Sequence, residues 1–207
     1  WTGSAAPAEP LATAPRPHDD ARRRRMGAGV VDLVVRGDTV VTPQGVGAYD
    51  ILVAGEKIVA LAAPGTFPVP DGARLIDATG KIVIPGGIDP HVHCKWHLPS
   101  PGDAAPTETD PPDVVGLAAV HGGTTTMIDF TRANQGATVQ EAIEKREQDW
   151  KGHCPCDYAQ HIMVEGALPV DLPPQIAEAI QAGFPTIKIF TTDITPSRKG
   201  RMVDFGD

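Results

Sequence analysis

A chain of 207 residues, 41% hydrophobic and 21% charged, carries enough apolar material for one or two packed domains. Its formal net charge of -8 argues against a general nucleic-acid binder. No apolar run approaches the roughly 20 residues of a membrane span, and none follows the early arginines as a secretory signal would, so a cytoplasmic protein is expected.

Residues 1–29 are rich in Ala, Pro and Arg without apolar periodicity, which predicts a disordered tail. The chain opens on Trp1, and Met26 directly after Arg22-Arg-Arg-Arg25 is the expected start. Residues 30–81 read as strands at 32–36, 39–42, 50–54, 57–61 and 74–77, with Gly37-Asp38 and Gly55-Glu56 as hairpin turns. That pattern predicts part of a small β-sandwich. Five short strands cannot close a large core, so another layer should complete it.

From residue 82 strands begin to alternate with helices. Pro85-Gly-Gly-Ile-Asp-Pro-His-Val-His93 is a strand-like approach to two histidines. Period-two alternation puts His91 and His93 on one side and Val92 on the other, which makes a metal half-site. Two half-buried histidines would give the same H-x-H pattern. Cys94 should point away from them, and His97, at the Pro-rich loop 98–112, should face solvent. A helix at 113–121 stops at Gly122-Gly123, with His121 suited to its negative end.

Strand 124–130 carries Asp129 near its end, where it could bond a ligand histidine. Thr138-Val-Gln-Glu141 is a capping box for a helix reaching Trp150, with Val139, Ala142, Ile143, Arg146 and Trp150 on one stripe. Cys154-Pro-Cys156 lacks the spacing of a redox or zinc-ribbon pair and should be reduced. Strand 157–164, with His161 facing either barrel or helices, is followed by a helix at 173–182 and a strand at 186–190. In the last of these, Ile187 and Ile189 are expected on one buried face and Lys188 on the other. A lysine there must be neutralised, paired or modified, and a neutral amine can take up carbon dioxide to form a carbamate able to bridge two ions. The alternative is a lysine that snorkels to solvent.

This βαβα succession predicts an α/β fold, with 82–207 forming the first half of a (β/α)8 TIM barrel, truncated and inactive alone. His91, His93 and Lys188 would then sit at C-terminal strand ends, where such barrels place their active groups.

In this order the stretches resemble the cyclic-amide branch of the amidohydrolase superfamily, from Val31 to about Phe190. The branch comprises hydantoinases, dihydropyrimidinases, allantoinases and dihydroorotases. The resemblance implies that His91 and His93 hold the more buried of two divalent ions, zinc, and that Lys188, as N6-carboxylysine made with carbon dioxide, bridges both. The remaining ligands, two histidines and the catalytic aspartate, would lie beyond Asp207. It implies hydrolysis of a cyclic amide C–N bond by a metal-bridged hydroxide, without a covalent intermediate. Homo-oligomers, tetramers in this family, would act on a small molecule with no nucleic-acid or membrane partner.

Two positions depart from the pattern. Hydantoinases and dihydropyrimidinases carry a tyrosine five residues after the lysine, where this chain has Asp193. Dihydroorotases carry an arginine two residues after the second histidine, where Lys95 stands. Both are candidate substrate-binding residues. Alternative readings are an allantoinase- or dihydroorotase-like hydrolase, and a non-catalytic dihydropyrimidinase-related scaffold. Retention of both histidines and the lysine favours an enzyme.

Overall fold

Valine- and threonine-rich alternation builds β1 (Leu33–Thr42) as a strand of ten residues that organises the first part of the chain. The computed structural model describes residues 30–98, 107–133, 138–166, 170–193, 200 and 202–203; the tail expected at 1–29 and residues 99–106 of the Pro-rich loop lie outside these. The chain divides into two units between Pro85 and Gly86.

In the first unit β1 pairs antiparallel with β2 (Gly45–Ala54), which pairs antiparallel with β3 (Lys57–Ala62). Both β4 (Arg74–Asp77) and β5 (Ile82–Val83) run parallel to β1, so Ile82 and Val83 belong to this sheet. The described residues here form one sheet of five strands. Gly55-Glu56 makes the expected turn, but Gly37-Asp38 does not. Instead β1 runs through it, with a bulge between Gly37 and Val40, and turns at Pro43-Gln44. Gly37 serves close packing: a Cβ there would lie 3.0 Å from a Val40 methyl and 3.1 Å from a Val83 methyl.

Val34, Val40, Ile51 and Leu52 are buried, together with the carboxylate of Asp50. Burying that charge is tolerable because it is fully paired. Arg36 donates through Nε at 3.1 Å and through Nη2 at 3.1 Å, and the Gly65 amide donates at 2.9 Å.

The second unit contains β6 (Gly87–Asp89), β7 (His97–Leu98), β8 (Thr107–Glu108), α1 (Pro112–His121), β9 (Thr124–Arg132), α2 (Val139–Trp150), β10 (Asp157–Val164), α3 (Leu172–Gln181) and β11 (Ile187–Ile189). Strands β6, β9, β10 and β11 form a wholly parallel sheet in the order β11-β10-β9-β6, with a helix in each connection. This is the expected alternation of an α/β fold. The α2 start is the anticipated one, since the Thr138 hydroxyl accepts from the Glu141 amide at 3.1 Å.

Along α2, Val139 and Ile143 pack with Ile162, Val164, Leu172 and Ala179, while Trp150 packs with Met127 and Cys94. Each large aliphatic side chain so buried contributes about 1.5–3 kcal/mol. The isoleucines of β11 differ from expectation: Ile187 is 46% and Ile189 47% exposed, and Lys188 is the more sheltered residue. β11 also ends the strand order, so one of its backbone edges has no strand partner among the described residues. No helix of the described residues is long and apolar enough to cross a membrane.

The hydrogen bonds from Arg36 hold the Asp50 carboxyl below its ordinary pKa of 3.8, against the opposing effect of burial. The pair therefore stabilises the fold above that value and ceases to do so as pH falls through the lowered one. In the whole protein, Asp50→Asn is expected to flatten this acid limb and to speed hydrogen exchange at the Gly65 amide. Unchanged protection at Gly65 would show that the carboxylate is not its anchor.

Candidate metal centre

The approach to the histidines begins where only glycine fits, because a Cβ on Gly86 would collide with the Thr125 side chain. β6 is only three residues long, yet the chain beyond it is held peptide by peptide. The His91 amide donates to Asp89 Oδ1 at 3.0 Å and the Val92 amide to the Ile128 carbonyl at 3.0 Å. The Thr109 hydroxyl donates to the His93 carbonyl at 2.6 Å and accepts from the Trp96 amide at 2.9 Å. Extended alternation thus persists past the strand, with His91 and His93 ring centroids 5.1 Å apart, edge to face. Cys94 points the other way into the core, as expected.

Phe130, at the end of β9, gathers the candidate residues. Its ring stacks on His93 at 4.9 Å and meets His91 at 4.6 Å, and the Lys188 ammonium lies over it at 4.2 Å. Trp96 closes the other side of His93 at 4.5 Å. His93 Nδ1 is buried without a hydrogen-bond partner among the described residues. Burial pushes the His93 imidazole down to about 4, helped by the Lys188 charge.

A neutral imidazole with an unspent buried nitrogen suits a metal ion, so the donors present fit one. They supply two ligands; no group of three or more His, Cys, Asp or Glu that could hold an ion occurs among the described residues. Lys188 as an ammonium would repel a divalent ion, so its part in such a site requires another chemical form.

These residues line a cavity of about 920 Å³ that also takes in Lys95, Trp96 and Phe190. Lys95 has a backbone φ of 48°, in the left-handed region, and its ammonium pairs with Asp149. The Asp193 carboxylate accepts from the Gly200 amide at 2.7 Å and the Met202 amide at 3.0 Å, and does not line the cavity. His161 faces the barrel side, 5.1 Å from Phe130, and bonds Thr186 Oγ1 at 2.7 Å and the Pro90 carbonyl at 3.0 Å. His97 is exposed beside Glu108 at 3.1 Å, and His121 Nδ1 lies 2.8 Å from the Leu117 carbonyl in the last turn of α1. Cys154 and Cys156 are free thiols 3.4 Å apart.

Asp129 does not do what its position in the sequence suggested. Its fully buried carboxylate accepts from Trp96 Nε1 at 3.2 Å, Trp150 Nε1 at 3.1 Å and the Phe130 amide at 2.7 Å, and it pairs with Arg146. None of these donors is a histidine. Phe130 takes the histidine side of β9, so its neighbour Asp129 faces the helices. An arginine within the apolar stripe of α2 was the overlooked signal, since a sheltered guanidinium demands a buried acid.

No family model matches the chain. It is 38% identical over 120 residues to a D-hydantoinase of Geobacillus stearothermophilus, covering 58% of this chain and 24% of that protein. It is 36% identical over 94 residues to a dihydropyrimidinase of Dictyostelium discoideum, covering 45% of this chain and 18% of that one. The dihydropyrimidinase structure from Brevibacillus agri NCHU1002 matches with a TM-score of 0.67 at 30% identity, over 83% of this chain and 35% of that chain. A D-hydantoinase (dihydropyrimidinase) structure from Thermus sp. gives 0.67 at 30% identity, over 84% and 35%. The parallel half-barrel of this chain is thus that of dihydropyrimidinase structures. The chain spans about a quarter of the length of the first of these curated relatives and about a third of the matched structures.

In the metal-free whole protein, His93 is expected to titrate near 4 rather than at the ordinary 6.5. Its neutral form stabilises the fold above 6.5, and this is lost as pH falls from 6.5 to about 4, because the unfolded chain takes the proton first. Histidine ring signals followed by NMR across that range check the value, and a His93 midpoint near 6.5 would show a hydrated ring.

Proposed function

We propose, for a chain whose sequence and fold are those of part of a hydantoinase-like amidohydrolase, that the whole protein is a metal-dependent hydrolase opening a cyclic amide of hydantoin or dihydropyrimidine type. The observation that carries this reading is the adjacent pair of imidazoles, one neutral at ordinary pH with a buried, unpartnered nitrogen. Under it, His91 and His93 hold one of two divalent ions, zinc. When bound, the ions supply a Lewis acid for the ring carbonyl and a nucleophile available at neutral pH.

Lys188 contributes by changing its charge. Its ammonium releases a proton to solvent, the amine nitrogen bonds the carbon of carbon dioxide as a C=O π pair moves to oxygen, and loss of a second proton from that nitrogen to solvent leaves a carbamate with one negative charge shared by its two oxygens. The faces of Phe130 at 4.2 Å and Phe190 at 5.2 Å flank Nζ at the cavity, where the modified side chain would stand beside the two histidines. Trp96 and Phe130 flank His93 and limit water's access to it.

The substrate's identity turns on the two departures from the family pattern. Asp193 is engaged by two backbone amides and lacks a proton to donate when ionised, so it does not replace the tyrosine as an oxyanion donor. Lys95 stands at the cavity wall with its ammonium on Asp149, and exchange of that carboxylate for one on the substrate gives a second reading, in which the ring carries an acidic substituent as in a dihydroorotase-like hydrolase. An allantoinase-like specificity and a non-catalytic scaffold are the remaining alternatives. We place the protein in the cytoplasm, as a homo-oligomer acting on a free small molecule.

Lys188→Ala is expected to lose bound metal and activity together, with short carboxylates in solution restoring part of both. Lys188→Arg should be equally inactive, since a guanidinium stays protonated and cannot take up carbon dioxide. Metal stoichiometry and the mass of the native protein with and without bicarbonate check this. An active Lys188→Arg with unchanged metal would sink the bridging role.

A further inference from the structure

We propose that Asp129 and Arg146 are positioning residues for the His91–His93 half-site, setting the direction of His93 from the opposite face of its segment. This rests on the metal-site reading above. The pair is almost shut off from solvent, the arginine side chain being 12% and the aspartate 0% exposed. Its contacts converge on the residues that follow His93. Arg146 Nη2 donates to the Cys94 carbonyl as well as to Asp129, while the Cys94 amide approaches Asp129 Oδ2 at 3.5 Å. The peptide groups on both sides of Cys94 are therefore gripped, and the first of them is the one that fixes the ψ of His93.

The grip extends further. Arg146 Nη1 donates to Asp149 at 3.0 Å, and Asp149 in turn pairs with Lys95. Trp96 Nε1 donates to the other oxygen of Asp129, which orients the indole that meets the His93 ring at 4.5 Å. A buried ion pair is a poor way to gain stability, because apolar residues of similar volume often do as well. Here each charge also serves as a fixed hydrogen-bonding group for the peptides around Cys94, which lie between the end of β6 and the backbone pairing of Lys95 and Trp96 with Asp110 and Thr109. Side chains that hold a ligand's surroundings commonly matter about 10–100-fold for metal affinity.

Trp150 supplies the internal control. Its indole donates to the same carboxylate at 3.1 Å from α2, but its N–H is directed at none of the peptides from His91 to Trp96. A purely structural role for Asp129 predicts that metal affinity follows thermal stability in every variant, whereas positioning predicts that the two separate.

The test uses the whole protein stripped of metal, with Zn2+ affinity measured by competition against a chromophoric chelator and thermal midpoints measured alongside. The visible spectrum of the Co2+-loaded protein reports the ligand geometry. Asp129→Asn and Arg146→Lys are expected to weaken Zn2+ binding about tenfold or more and to alter the Co2+ spectrum. Trp150→Phe should lower the midpoint yet hold affinity within about twofold. If Asp129→Asn does not fold, Arg146→Lys, which keeps the charge, decides. Wild-type affinity in the foldable positioning variants overturns the proposal alone, as does an equal loss in Trp150→Phe at a matched thermal shift. A wild-type protein that binds no Zn2+ overturns both this proposal and the metal-site reading.

Discussion

One buried carboxylate, that of Asp129, holds together parts of the chain that no hydrogen-bond ladder joins. In a parallel barrel the chemically useful residues must leave the sheet at its C-terminal edge, where backbone pairing stops. β6 stops early, after Gly87–Asp89, so the peptides from His91 to Trp96 need partners from elsewhere. Asp89, the Ile128 carbonyl, Thr109, Asp129 and Arg146 provide them. The same carboxylate fastens α2 to β9 through Arg146 and Trp150. Packing of the helix layer and posture of the histidines thus share one electrostatic centre.

Local signals account for what was legible in the sequence. The capping hydroxyl of Thr138 and the stripe from Val139 to Trp150 lie within one helix, and β10 coincides with its expected span because β-branched and apolar residues fill it between clear breaks. The proximity of the two histidines was legible for a similar reason: an alternation of two needs no distant information to put His91 and His93 side by side. Less was readable where the answer lay across the fold. Gly37-Asp38 has the composition of a turn, but Val83, forty-odd residues later, closes over Gly37 and keeps β1 running. The side-chain partners of Asp129 come from two other segments, the stretch after His93 and α2, and only the misplaced charge of Arg146 hinted at them.

The exposure of Ile187 and Ile189 illustrates the same limit from the other side. Their β-branched pattern specifies a strand, and a strand forms. Whether its apolar face is covered depends on what packs across the sheet there, and that is not a property of the three residues themselves. Lys188, between them, is sheltered by Phe130 and Phe190 instead.

That shelter has an electrostatic consequence for the candidate metal centre. Positive charges from Lys188, Arg146 and Arg132 add to burial in keeping His93 unprotonated. They free the imidazole for a metal while making the surroundings hostile to one, since the field that repels a proton also repels a divalent ion. Arg146 is neutralised by Asp129 and Asp149, Arg132 lies 4.0 Å from Glu165, and the Lys188 ammonium lies over the Phe130 ring beside His93. A carbamate on Lys188 would turn the nearest repulsion into attraction, and His93 would then gain affinity for any cation. Conversion of Lys188 and occupation of the histidine pair would therefore favour each other, each making the other's charge easier to accommodate.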